Sequence, residues 1–339
     1  MQNNFYSKPL ARFAWFLVGY TILVILWGAF VRATGSGAGC GSHWPTCNGE
    51  IIPRAESVET LIEFSHRLTS AFMGVLVIGL VAWAWRVHGL SHRATKASIW
   101  TLVFTIIEGG IGAAIVIFEY VADNESTARA LWMGVHLINT LILLGILVTA
   151  AWWCSGGKSI TFKNSRPLVT ALAIGFAGLL IVSAFGAITA LGDTLFPAES
   201  FAEGASAKFE QDAHFSVRAR IWHPTLAVAA SIYLVVVLWT QPEFTMTASR
   251  QRWQRISIGL IFFQLAFGSL NALLAAPIWM QLGHLLLTDL IWGSLVILML
   301  ITLEKEPVIL STAAQSTQAS FGTNGQRQLQ GMTTTIEDR

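Results

Sequence analysis

Charged side chains are scarce in this chain: Asp, Glu, Lys and Arg make up 12% of 339 residues, against 54% hydrophobic. So little charge cannot cover a soluble domain of this size, which excludes that class and leaves a membrane protein. The net charge is only +2. No nucleic-acid partner is expected from so small a balance. No small-x-small cleavage site precedes Gly35. The first apolar run, although it follows Lys8 and Arg12 as a signal sequence would, therefore reads as a retained helix.

Long apolar runs are abundant. Eight can cross about 30 Å of hydrocarbon: Phe13 to Val31, Leu61 to Trp85, Ala97 to Phe118, Ala130 to Trp153, Leu168 to Leu191, Val217 to Trp239, Ile256 to Ala276 and Ile278 to Leu303. The N-terminus, the loops 86–96, 154–166 and 240–255, and the C-terminal tail hold 14 of the 21 Lys and Arg. These segments are expected to face the cytoplasm, with both termini inside, in the plasma (inner) membrane. Most acidic residues fall on the other side. The stretch from Ser311, rich in Ser, Thr, Gln and Gly, reads as a disordered cytoplasmic tail.

The fourth and eighth runs are alike: "WMGVHLINTLILLG" (132–145) and "WMQLGHLLLTDLIWG" (279–293) each place Thr four and Gly nine residues past a His. "GAFVRATG" (28–35) and "GAITALG" (186–192) match at the ends of the first and fifth runs. The predicted fold is therefore all-α: a polytopic membrane protein of eight transmembrane helices in two pseudo-symmetric four-helix bundles. The halves span 1–153 and 167–303, with a cytoplasmic linker at 154–166 and a tail at 304–339. An even number of spans in each half makes the two run in the same sense, about an axis along the membrane normal.

Four of the eight histidines, His66, His136, His223 and His284, fall one to each even-numbered run, five to seven residues below its start. At 1.5 Å per residue they share a depth of about 7 to 10 Å. A single such imidazole would be an interfacial hydrogen-bonding group. Four at one level are costly inside a bundle unless they bind something. Zinc calls for a tetrahedral set with cysteine or carboxylate, whereas porphyrin iron calls for two axial groups on facing helices. Paired histidines fit heme best. Arg32, Arg67, Arg129, Arg218 and Arg220 lie at outer helix ends, where they would meet the heme propionates or snorkel to lipid headgroups.

Only three cysteines occur. Without a C-x-x-C-H, covalent c-type heme attachment is excluded. Cys40 and Cys47 share the Gly-rich outer loop "GSGAGCGSHWPTCNG" (35–49), on the oxidising side, where a disulfide can form, whereas Cys154 sits at the reducing face as a free thiol. With His43 the two could instead hold zinc. A disulfide there would staple the loop or exchange electrons with an outer thiol protein. In "EFSHRL" (63–68), Glu63 and His66 share a helix face, while Arg67 is expected to point to a propionate or headgroup and not to Glu63.

Taken together, "GAFVRATGSGAGCGSHWPTCNG" (28–49), "EFSHRL" (63–68), the His of "WMGVHL", "WHP" (222–224) and "GHLLL" (283–287) resemble the heme A synthase family. The resemblance covers all eight spans and excludes the tail. It implies oxidation of the C8 methyl of heme O, through hydroxymethyl and a hydrated aldehyde that loses water, to the formyl group of heme A for terminal oxidases. It further implies a heme b cofactor between His223 and His284, substrate heme O at His66 and His136, Glu63 as the essential acid, and a Cys40–Cys47 disulfide. Heme O synthase, oxidase assembly factors and an outer thiol-disulfide protein are possible partners beside the lipid bilayer. Glu108 in "IIEGGIG" departs from the family, where Gln is expected. Asp289 reads by default as a helix–helix hydrogen-bonding group. Two alternatives remain: a diheme electron-transfer cytochrome and a heme transporter.

Overall fold

The structure, a computed structural model, describes residues 7–54, 57–162 and 166–304. The expected tail lies outside the described residues except for Glu304. Nine α-helices are present among the described residues: α1 (Lys8–Ala33), α2 (Val58–His88), α3 (Arg93–Ile117), α4 (Thr127–Cys154), α5 (Arg166–Leu195), α6 (Phe201–Ala207), α7 (Phe215–Thr240), α8 (Ala248–Leu273) and α9 (Ile278–Thr302). All but α6 are long and apolar enough to span a membrane. At 25 to 31 residues they measure about 37 to 46 Å, longer than the hydrocarbon core, so their ends stand in the headgroup layers.

The helix starts are set by short polar side chains. Ser57, Ser126 and Thr247 accept the backbone N–H of Thr60, Arg129 and Arg250 at 3.2 Å each, satisfying amides that the first turn leaves free. The helix α8 begins eight residues earlier than the hydropathy of the chain suggests. Its first two turns carry Arg250 and Gln254, which turn inward: Arg250 Nε donates to the Ile301 carbonyl (3.2 Å) and Gln254 Nε2 to the Leu238 carbonyl (2.6 Å). The same helix ends before Ala276 because Ala275 and Ala276 both take positive φ (56°), which breaks the helix and turns the chain into α9.

Helices α1 to α4 form a ring of neighbours, α1 on α2, α2 on α3, α3 on α4 and α4 on α1, so α2 and α4 face each other across its centre. In the later spans α7 packs on α5 and more lightly on α8, and α8 packs on α9. Helices α4 and α9 are the most enclosed and pack on each other; α5 also packs on α4. Leu23, Phe72, Val75, Ile106, Ile232 and Trp239 are among the large apolar side chains left exposed, as a lipid-facing surface requires.

Packing is uneven along the bundle. The most enclosed large side chains, such as Leu10, Leu80, Leu144, Leu147, Leu238 and Phe244, lie toward the end that carries the loops 86–96, 154–166 and 240–255; Leu191 is the exception. The largest fully enclosed side chains thus concentrate away from the end that bears the four histidines.

Candidate functional site

His66, His136, His223 and His284 lie eight, nine, eight and six residues past the starts of α2, α4, α7 and α9. At 1.5 Å per residue this is a common level about 9 to 14 Å along each helix, slightly deeper than the hydropathy runs suggested. Each is partly buried.

The repeated glycine explains how the rings are admitted. A Cβ on Gly28 of α1 would stand 3.0 Å from the His66 ring, and a Cβ on Gly186 of α5 would stand 3.0 Å from the His223 ring. These two positions head the matching strings 28–35 and 186–192, so the likeness marks where an imidazole lies flat against a neighbouring helix. Gly268 of α8 does the same for His284, at 2.6 Å.

In the later spans the rings of His223 and His284 are neighbours, with centroids 6.2 Å apart and planes nearly perpendicular at 85°. Two metal–imidazole bonds of about 2 Å plus two ring radii span about 6 Å, so this gap fits an iron between them. His223 Nδ1 donates to the Val182 carbonyl of α5 at 3.1 Å, which leaves Nε2 for a metal. Pro224 follows it inside α7 and removes one backbone donor beside the site. His284 Nδ1 is buried without a hydrogen-bond partner among the described residues, and its Nε2 lies 3.3 Å from Gln264 Nε2 of α8. The donor set therefore fits a bis-histidine heme.

In the earlier spans His136 Nδ1 lies 2.9 Å from Glu108 Oε1, off the line of a ring N–H, so the contact is one of charge more than of an aligned hydrogen bond. Asn139 Nδ2 donates to Glu108 Oε2 (2.5 Å), and the Thr140 hydroxyl donates to Oε1. His66, His136 and Glu108 are close enough for their charges to interact. Sequence reasoning flagged Glu108 as a departure but gave it no partner.

Glu63 is buried, with 4% of its surface exposed, and both carboxylate oxygens are engaged. Oε2 accepts the Cys40 N–H at 2.8 Å, and Oε1 pairs with the Arg67 guanidinium. The expected direction of Arg67 is thus corrected. Four residues bring a helix back to nearly the same face, so Arg67 stacks over Glu63 and does not point away from it. Its Nη1 also donates to the carbonyls of His43 and Thr46, both at 2.7 Å. Cys40 and Cys47 are joined as a disulfide, with Cα atoms 4.4 Å apart. Glu63 and Arg67 therefore clamp the disulfide loop onto the N-terminal end of α2. Among the described residues no metal-binding cluster forms around this loop.

The remaining arginines have protein partners. Arg32 donates to the Ala190 carbonyl (2.6 Å), Thr194 Oγ1 (2.7 Å) and Gln281 Oε1 (2.8 Å), tying α1 to α5 and α9. Arg220 pairs with Asp193 at 2.8 Å, and Arg129 holds the carbonyls of Ala122 and Asn124. Arg218 is exposed and donates to the Gln211 carbonyl at 2.8 Å. The helix–helix hydrogen bond expected of Asp289 is not formed: both oxygens are buried with no partner among the described residues.

Fold and site together define a multi-pass helical membrane protein that presents four histidines at one level, one on each alternate span. The chain belongs to the COX15-CtaA family, described as cytochrome oxidase assembly protein, which it matches over residues 11–296. It is 43% identical over 296 residues to a Thermus thermophilus protein named protoheme IX farnesyltransferase, an alignment that takes in 87% of this chain but 49% of that protein. It is 29% identical over 309 residues to the heme A synthase of Halalkalibacterium halodurans, covering 85% of this chain and 95% of that one. A heme A synthase of Symbiobacterium thermophilum is 28% identical over 304 residues, covering 87% and 95%. The chain thus spans about half the length of the Thermus relative and nearly all of the other two.

Proposed function

We propose that this protein is a heme A synthase, an oxidoreductase that converts the C8 methyl of heme O to the formyl group of heme A. The observation that carries the reading is the His223–His284 pair, spaced for a bis-histidine iron, alongside a second histidine pair at the same level. The names of the two relatives matched along nearly their whole length support it.

In this reading residues 1–153 form the substrate half and 167–303 the cofactor half, with a heme b between His223 and His284. His223 and His284 would hold that heme, and it would supply an iron able to take up and pass on single electrons. His66 and His136 receive the heme O. Glu63, three residues before His66 on the same face of α2, takes the proton released as the methyl is oxidised. Arg218, exposed and held by one backbone contact, is the outer arginine best placed to meet a propionate. The protein sits in the plasma membrane with both termini in the cytoplasm. A heme O synthase delivers its substrate, and oxidase assembly factors receive its product.

A second reading, transfer of a farnesyl group to protoheme, is favoured by the name of the Thermus relative. The chain covers only half of that protein, and that weakens it. Pigment extraction from membranes expressing the full chain beside a heme O source decides between them. A formyl heme is expected. Heme O formed from protoheme alone would instead establish the transferase, and unmodified heme O would leave only an electron-transfer or transport role.

The fit of the cofactor half yields its own prediction. Gly186→Val pushes the His223 ring off the Val182 carbonyl and destabilises the protein by about 1 to 3 kcal/mol through overpacking. The bound heme b spectrum should lose its six-coordinate, low-spin form. Gly259→Val, at a position with nothing within 4 Å, should leave it unchanged.

A further inference from the structure

Glu108 of α3 and Gln264 of α8 hold equivalent places. Each is followed four residues later by glycine (Gly112, Gly268), and each reaches the histidine of the next span. The threonine four residues past that histidine bonds to it in both cases: Thr140 to Glu108, and Thr288 to Gln264 at 2.8 Å. One neighbour differs. Asn139 donates to Glu108, whereas the matching position beside Gln264 is Leu287. A carboxylate has more acceptor capacity to fill than an amide, so the extra donor accompanies the extra charge. The two sites share a plan but differ by one negative charge and by the ring nitrogen approached, Nδ1 of His136 and Nε2 of His284.

Resting on the reading that His136 and His284 each ligate a heme iron, we propose that Glu108 is a positioning residue that makes His136 the stronger donor, so that iron on His136 has a lower reduction potential than iron on His284. The physical cause is the carboxylate 2.9 Å from Nδ1 in a partly buried site. It enriches the imidazole in electron density and stabilises ferric over ferrous iron, as anionic partners of metal-bound histidines do. Gln264 is neutral and cannot act in this way. With the potentials in that order, electron transfer from the His136 site to the His223–His284 site would be downhill. That is the direction needed when substrate is oxidised in the first four spans and electrons leave through the last four.

The test is spectroelectrochemical titration, at one fixed pH, of the purified full chain loaded with hemin as the probe at the first site and with its own heme at the second. Two components are expected, and His136→Ala should remove the lower one. Glu108→Gln should shift the lower component to more positive potential, Glu108→Asp should restore part of the shift, and Gln264→Glu should move the upper component to more negative potential. Unchanged potentials in Glu108→Gln and Gln264→Glu with heme content intact would overturn the proposal. Should Glu108→Gln fail to hold hemin, Gln264→Glu still decides: an unmoved upper component overturns the proposal and a lowered one supports it. A lower component that persists in His136→Ala would instead remove the ligand assignment on which the proposal rests.

Discussion

Replacing His223 and His284 together by Ala is expected to abolish the tightly held heme b while the protein still accumulates in the membrane. The two rings stand at the spacing of a bis-histidine iron, 6.2 Å between centroids. Loss of a partner behind a metal ligand already costs about 10- to 100-fold in affinity, and loss of both ligands costs more. Folding should survive because the most enclosed side chains, Leu10, Leu80, Leu147 and Leu238 among them, pack at the other end of the bundle. Each single replacement should leave a five-coordinate, high-spin heme that washes out more readily. The measurement is the Soret absorbance per mole of purified protein, with the amount of protein read from immunoblots of the membranes. A double variant that keeps its full Soret band would remove the cofactor assignment, and with it the electron route through the later spans.

The spans were legible because an apolar run of membrane length has few other uses. Their ends were less so, and the errors have physical causes. Arg250, Arg252 and Arg255 depress the hydropathy at the start of α8, yet Arg250 and Gln254 find backbone carbonyls inside the bundle. The turn after α8 relies on two alanines with positive φ, residues that give no turn signal. The short α6 went unread although its start is capped, Ser200 accepting the Glu203 N–H and Glu203 reaching back to the Glu199 N–H.

The shared level of the four histidines was legible in the sequence. Four histidines at one level announced themselves, whereas the contacts between spans did not. That Gly28 and Gly186 make room for imidazoles depends on which helices are neighbours, and no spacing within one span reveals it. Glu108 was visible only as an odd residue, because its partners His136, Asn139 and Thr140 lie on the next span. Arg67 was the avoidable miss. Its distance of four residues from Glu63 already predicts an ion pair on one helix face.

Glu63→Gln is expected to retain the heme b spectrum and lower heme A formation by about 10²- to 10⁴-fold, the range for loss of a positioned acid or base. Gln is the informative choice because its side-chain oxygen can still accept the Cys40 N–H that Glu63 accepts at 2.8 Å. Truncation to Ala would strand Arg67, whose side chain is only 14% exposed, and unpairing a buried charge costs about 3 to 5 kcal/mol. A structural role for Glu63 must be separated from a chemical one, since the same carboxylate clamps the disulfide loop. Arg67→Gln does this: it loosens the clamp through the His43 and Thr46 carbonyls while leaving a carboxylate at position 63. If proton transfer is the role, Arg67→Gln keeps much more activity than Glu63→Gln. Equal losses in the two variants would mean that Glu63 acts only by holding the loop. Wild-type yield of formyl heme from Glu63→Gln would end its assignment as the acid altogether.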